Sequence, residues 1–151
     1  MANRTAIFPG TFDPFTTGHL DLVERGRHLF DKLIIAIGVN SNKKRIVSTE
    51  VMVEKITELI KDFDNVEVQT YEGLTAEYAR TVNAKFILRG LRNSTDLNYE
   101  SPIAKVNSDL NNELESIFLI SKPELSYVSS SIVRDLLRYG KDISGYLPYE
   151  L

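Results

Sequence analysis

The chain has 151 residues, 42% of them hydrophobic and 26% charged, a formal net charge of −3 and no cysteine. That length suits one domain, taken as residues 1–151, with a core that holds without disulfides; the missing cysteine excludes a disulfide scaffold and thiolate-held metal. The mild acidity speaks against wholesale binding to nucleic acid or an anionic membrane, and no apolar run nears the ~20 residues of a membrane span. The polar start M-A-N-R-T lacks the apolar region of a signal peptide, so the cytoplasm is the expected location.

In chain order, T-A-I-F-P at residues 5–9 reads as a buried strand that ends in Pro9-Gly10, and a loop leads on to Gly18-His19. Residues 19–30 carry Leu20, Leu22, Val23, Leu29 and Phe30 at helical spacing. L-I-I-A-I-G-V at 33–39 is continuously apolar, as a parallel strand covered on both faces should be. Asn40 to Ser48 is a polar, basic loop. Ser48 or Thr49 caps a helix striped by Val51, Val53, Ile56, Leu59 and Ile60. A third strand follows at 66–70, a short helix at about 75–83, and a fourth strand at 84–88 that runs into R-G-L-R. Residues 96–112 read as helical, but Pro102 places the expected start near Tyr99 to Pro102. A fifth strand spans 116–120, a serine-capped helix ends at Gly140, and one more turn is expected around 143–147.

This alternation predicts an α/β fold: a doubly wound, parallel five-stranded sheet with helices on both faces. Ligands in such sheets sit at the carboxyl ends of the strands, at the switch point. The polar loops after strands one, two, four and five are therefore expected to converge on one crevice.

Four clusters carry the candidate chemistry. Thr11, Asp13 and Thr16-Thr17-Gly18-His19 sit where a strand delivers a loop to a helix N-terminus, a natural phosphate site. Gly10 and Gly18 let backbone approach a ligand closely, although a histidine at a helix start also serves as a plain cap. Asn42-Lys43-Lys44-Arg45 is either a solvated basic face or a ligand for an anion. Arg89-Gly90-Leu91-Arg92 suits bidentate capture of phosphate, or else two salt bridges to carboxylates such as Asp96 and Glu100. Ser129-Ser130-Ser131, with Arg134 nearby, offers hydroxyls and amides at a helix start, where simple capping needs only one serine. A P-loop and a dinucleotide fingerprint are both absent, and no side-chain cluster has zinc spacing. A hydrolase triad is a weaker alternative, since no Ser–His–carboxylate order can be deduced.

F-P-G-T-F-D-P, T-T-G-H at 16–19, R-G-L-R at 89–92 followed by Tyr99-Glu100, E-L-E-S-I-F-L at 113–119 and Val128-Ser129-Ser130-Ser131 occur in that order. From about Arg4 to Leu147 the chain resembles the bacterial phosphopantetheine adenylyltransferases, nucleotidyltransferases marked by an [HT]-x-G-H motif. The resemblance implies a Rossmann-like nucleotidyltransferase fold and transfer of the adenylyl group of ATP to 4′-phosphopantetheine. The products are 3′-dephospho-coenzyme A and pyrophosphate, at the penultimate step of coenzyme A synthesis.

The resemblance also assigns roles. His19, Lys43 and Arg92 are the catalytic set, with His19 donating to an α-phosphate oxygen. Thr11, Lys43, Leu74, Thr75 and Arg89 bind phosphopantetheine. Thr11, Phe12, His19, Gly90, Leu91, Arg92 and Glu100 bind ATP, as do Leu125, Ser126, Tyr127, Val128, Ser129, Ser130 and Ser131. Mg2+ screens the triphosphate with few or no direct protein ligands. The family implies a homohexamer with feedback by coenzyme A, with subunit contacts expected along Tyr99 to Leu114. Asp13 reads as a residue that shapes its loop, because the chemistry needs no base. The chain departs from the family at Thr17, where asparagine is common, at Thr75, where an apolar residue is common, and in lacking a tryptophan near 125. The rivals are an adenylyltransferase acting on nicotinate mononucleotide and a non-catalytic, flavodoxin-like nucleotide-binding domain.

Overall fold

The computed structural model describes residues 3–151; Met1 and Ala2, which open the stretch read as too polar for a leader, lie outside the described residues. Five strands form one sheet in the order β3-β2-β1-β4-β5: β1 (Thr5–Gly10), β2 (Lys32–Gly38), β3 (Val66–Tyr71), β4 (Phe86–Leu91) and β5 (Glu115–Ile120). Every pairing is parallel. The chain winds outward from β1 through β2 to β3, then returns to β4 on the other side of β1. The switch point therefore falls between β1 and β4, and a crevice is expected beyond their carboxyl ends.

The central strands are buried on both faces, and the pleat divides them between two cores. Ala6, Phe8, Leu33, Ile35, Ile37 and Leu88 face one side, against Leu22 and Val23 of α1 (Thr17–Gly26) and Met52 and Ile56 of α2 (Thr49–Leu59). Ile7, Ile34, Ala36 and Ile87 face the other, against Ala76, Tyr78 and Ala79 of α3 (Thr75–Thr81). Burial of this kind is worth roughly 25 cal/mol per Å² of apolar surface, so the sheet and its helices fix the strand ends rigidly.

Three boundaries differ from the sequence expectation. α1 starts at Thr17 and ends at Gly26, short of residue 30; Leu29 is exposed and Phe30 packs on Phe86 from the following turn. β4 runs to Leu91, so Arg89, Gly90 and Leu91 belong to the strand rather than following it. α4 is one helix from Ser94 to Leu110 with Pro102 inside it. It starts five residues before Tyr99 because Asn93 caps it, its side chain accepting from Asp96 N–H at 3.0 Å. Ion pairs from β4 to Glu100 and from Arg92 to Asp96 also fix the turns before Pro102, where the proline removes a ladder bond. α5 (Ser130–Arg138) ends as expected: Gly140 takes φ +66°, and the N–H groups of Gly140 and Lys141 close onto the carbonyls of Leu137 and Leu136. The expected last turn closes from Tyr146 N–H to Ile143 O, and the tail then docks beside the first loop. Thr17 N–H donates to Tyr146 O at 3.0 Å and Tyr149 donates to Phe15 O at 2.5 Å.

Candidate active site

The loop from β1 to α1 is built by its own residues. Gly10 lies beneath the Phe12 ring, where a Cβ would come within 2.9 Å of Phe12 Cζ. Phe12 itself holds φ +48°, the left-handed region that side chains rarely adopt. Asp13 is buried, and its carboxylate accepts from Ile46 N–H at 3.0 Å and Val47 N–H at 2.8 Å. Both oxygens are engaged on backbone, which makes Asp13 a loop-shaping residue, as the sequence reading has it.

His19 is both a cap and a functional candidate. Thr16 caps α1 by accepting from His19 N–H, and Thr16 N–H donates to His19 Nδ1 at 2.9 Å. An accepting Nδ1 has no proton, so the neutral ring carries its proton on Nε2. The imidazole stands among Phe8, Phe12 and Phe15, with ring centroids 6.1, 5.0 and 5.3 Å away. Burial first, then the charges of Arg89 and Arg92, push its pKa down to about 3. The result is a fixed, neutral N–H donor beside two cations.

The two arginines satisfy both sequence readings together. Arg89 forks onto Glu100, with Nη2 at 2.6 Å from Oε1, and its Nη1 donates to Pro9 O at 2.6 Å. Arg92 binds Asp96 through Nε at 3.0 Å and Nη2 at 3.1 Å. Burial alone raises the Asp96 pKa, but the hydrogen bonds and charge of Arg92 outweigh it and hold the carboxyl below its ordinary value. A guanidinium has five N–H donors. These contacts leave each arginine with donors to spare, aimed by its carboxylate.

The serines divide their work. Ser129 caps α5 by accepting from Ile132 N–H at 3.2 Å. Ser130 donates to Pro14 O at 2.7 Å, and Ser131 accepts from Arg134, which also donates to Asp13 O at 2.9 Å. Only the Ser130 hydroxyl donates to protein; those of Ser129 and Ser131 accept, and each keeps its O–H for a further partner at the cavity wall. As at any helix start, the first N–H groups of α5 stay outside the ladder, and the same holds at Gly18 of α1.

Two cavities open at the switch point. One, of about 300 Å³, lies between β1, β4 and α5; Thr11, Phe12, Gly18, His19, Arg89, Gly90, Arg92, Glu100, Leu125, Val128 and Ser129–Ser131 all line it. The other, of about 200 Å³, is lined by Thr11, Gly38, Tyr71, Thr75, Arg89, Glu100 and Asn107. They share Gly10, Thr11, Arg89, Tyr99 and Glu100, so they meet end to end.

Some sequence-derived residues lie elsewhere. Lys43 is exposed and lines neither cavity, because the loop after β2 stands off at the rim; only Gly38 of that strand end reaches the second cavity. Leu74 is 58% exposed at the start of α3. Leu91, Ser126 and Tyr127 line neither cavity; Ser126 donates to Pro123 O and Tyr127 edges against Tyr146. Arg45, grouped with the anion ligands, donates instead to three backbone carbonyls. Gly38, Tyr71 and Asn107 are additions to the sequence-derived set. The first two end β2 and β3, and that strand-end position is the signal that marks them; Asn107 sits inside α4 with no sequence signal.

No three His, Asp or Glu side chains gather as a metal set among the described residues. The cavity carboxylates Asp13, Asp96 and Glu100 are already engaged by backbone or arginine. These residues do not fit a protein-held Mg2+.

The cytidylyltransferase-like family model matches residues 7–136. A phosphopantetheine adenylyltransferase of Cytophaga hutchinsonii is 49% identical, over 99% of this chain and 99% of its own. One of Phocaeicola vulgatus is 48% identical, over 96% and 95%. Among solved structures, a bifunctional NMN adenylyltransferase/ADP ribose pyrophosphatase from Francisella tularensis superposes with TM-score 0.73 at 17% identity. That match covers 97% of this chain but 45% of the other, and it bears out the nucleotidyltransferase fold. With the sheet order, the strand-end cavities and these relatives together, the chain belongs to the phosphopantetheine adenylyltransferase family of cytidylyltransferase-like proteins.

Proposed function

We propose that the chain transfers the adenylyl group of ATP to 4′-phosphopantetheine, giving 3′-dephospho-coenzyme A and pyrophosphate. The observation that carries this reading is the meeting of two cavities at Thr11, Arg89 and Glu100, beside the neutral His19. One chamber has helix starts and arginines, as a triphosphate requires. The other is a mixed slot under Tyr71 and Thr75, whose hydroxyls pair at 2.9 Å. It suits a chain of amides and methylenes.

The acceptor's phosphate oxygen attacks the α-phosphorus in line, and the bond from that phosphorus to the α–β bridging oxygen breaks as pyrophosphate leaves. The nucleophile is already anionic, so no base is needed and the protein's task is positioning and charge stabilisation. In this reading His19 Nε2–H donates to an α-phosphate oxygen, and Arg92 stabilises the triphosphate. Arg89 and Thr11 hold the acceptor phosphate at the junction. Lys43 reaches in from the rim toward the same phosphate. The amides opening α1 and α5, with the O–H groups of Ser129 and Ser131, take phosphate oxygens. Mg2+ enters with ATP as part of the substrate.

Two wider features belong to the same proposal. The exposed stripe Ile103, Val106 and Leu110 on α4 supports assembly of several copies, which sedimentation would test. Coenzyme A, which combines both substrate halves, is a feedback ligand for the joined cavities. Among the described residues no helix is long and apolar enough to cross a membrane, and a cytoplasmic site fits the use of ATP. The test of function is pyrophosphate release from ATP with either phosphopantetheine or nicotinate mononucleotide as acceptor. Turnover with phosphopantetheine is expected; turnover with the mononucleotide alone would overturn the reading.

A further inference from the structure

Arg45 has no task in the reaction described above, yet it is among the most fully used side chains of the rim. Its Nη1 donates to Thr11 O at 2.6 Å, its Nη2 to Phe12 O at 2.8 Å and its Nε to Val47 O at 2.9 Å. All three nitrogens thus meet carbonyl oxygens, two of them more than thirty residues away in sequence. The contact is returned by Asp13, whose carboxylate takes the N–H groups of Ile46 and Val47. The loops after β1 and β2 are therefore cross-braced by four hydrogen bonds, with the Nε bond to Val47 O fixing the guanidinium within its own loop.

We propose that Arg45 is a positioning residue for adenylyl transfer, tying the loop that carries Lys43 to the loop that carries Thr11. Three features support it. Thr11 lines both cavities where they join, so its carbonyl anchor sets the width of the junction. Phe12 holds φ +48°, a conformation that persists only with outside support, and the Arg45–Phe12 O bond supplies it. The Phe12 ring in turn meets His19 edge-on at 5.0 Å, so a shift of Phe12 moves a wall of the donor's pocket. The planar guanidinium matters more than its charge, since an ammonium cannot span three carbonyls in one plane.

The kinetic part rests on the adenylyl-transfer reading; the brace itself does not. Arg45→Lys and Arg45→Met are compared with the parent enzyme in kcat, in KM for each substrate, and in amide hydrogen exchange at Ile46 and Val47. Assays are run well below each variant's melting temperature. Both variants are expected to lose about tenfold to hundredfold in kcat, the range for misplaced reacting groups. KM for phosphopantetheine should rise severalfold, while KM for ATP stays within about twofold. Exchange at Ile46 and Val47 should quicken while that of Ile35 in β2 does not change. Full rescue by lysine, or parental kcat with parental exchange, overturns the proposal. A parent without turnover removes the adenylyl-transfer reading and the kinetic role with it, while unchanged exchange at Ile46 and Val47 refutes the brace.

Discussion

Two substitutions at His19 separate its roles. His19→Asn places an amide oxygen near the position of Nδ1, where it still accepts from Thr16 N–H, now 2.9 Å from Nδ1. It has no donor at the far side of the ring. His19→Gln does the reverse: its amide nitrogen reaches toward the Nε2 position, and the acceptor for Thr16 N–H is lost. Removing one preorganised donor from a charge-developing transition state costs on the order of 10²–10³ in kcat, about 3–4 kcal/mol. That full cost is expected for His19→Asn, because Arg89 and Arg92 are held in place by Glu100 and Asp96 and are not free to swing into the place of Nε2–H. Affinity for ATP should stay within severalfold, since the donor acts chiefly on the transition state. His19→Gln should keep more of kcat but lose about 0.5–2 kcal/mol of stability with the cap. Initial rates of pyrophosphate release, calorimetric ATP binding and urea unfolding measure the three quantities. A His19→Asn enzyme within tenfold of parental kcat would refute the donor assignment.

The His19 pKa fixes a stability window. The unfolded histidine takes a proton near its ordinary 6.5, whereas the folded one resists until about 3. Between those values the unfolded state holds the extra proton, so stability falls on acidification, by up to about 1.4 kcal/mol per pH unit. Urea midpoints at pH 7 and 4.5 should drop further in the parent than in His19→Asn; equal drops would contradict the depressed pKa. Lys43→Ala should raise KM for phosphopantetheine and lower kcat, and unchanged values would return the lysine to a solvated surface. The glycines give opposite results: a Cβ on Gly90 would stand 2.3 Å from buried Leu22 Cδ1, whereas one on Gly18 meets nothing nearer than 3.5 Å. Gly90→Ala should therefore cost about 1–3 kcal/mol in thermal or urea unfolding. Gly18→Ala should leave stability intact and raise KM for ATP, because only the bound nucleotide needs the space.

The sheet was legible because its information is local. The run 33–39 is apolar without a break, and the carboxyl-end rule then locates the crevice before any side chain is placed. Side-chain destinations that depend on partners far away in sequence were not legible. Arg45 is adjacent to Lys43 and reads the same, but the carbonyls of Thr11 and Phe12 lie within its reach only after β1 and β2 pair. The start of α4 was misplaced because Pro102 weighs heavily as a breaker, while the cap at Asn93 and the ion pairs of Asp96 and Glu100 oppose it only in three dimensions. The strand assignment of Arg89 to Leu91 failed for a related reason: Gly90 looks like a turn residue, yet its missing side chain is what admits Leu22 of α1 against β4.

The arginines show how structural and functional readings of one motif combine. Glu100 is 6% exposed, and a buried carboxylate without a partner would be costly, so Arg89 is bound to it whether or not a ligand is present. A free arginine at the same place would have to be ordered by each arriving substrate, losing rotamer freedom worth about 2 kcal/mol. Held by Glu100 and by Pro9 O, the guanidinium is already in place. The same pair also tunes the site. The carboxylate offsets part of the positive charge, leaving a field that favours a polyanion passing through rather than a phosphate held too tightly to leave. Pyrophosphate and dephospho-coenzyme A must both depart, so a cavity built from half-neutralised arginines and helix amides suits a reversible transfer better than one lined with unpaired cations.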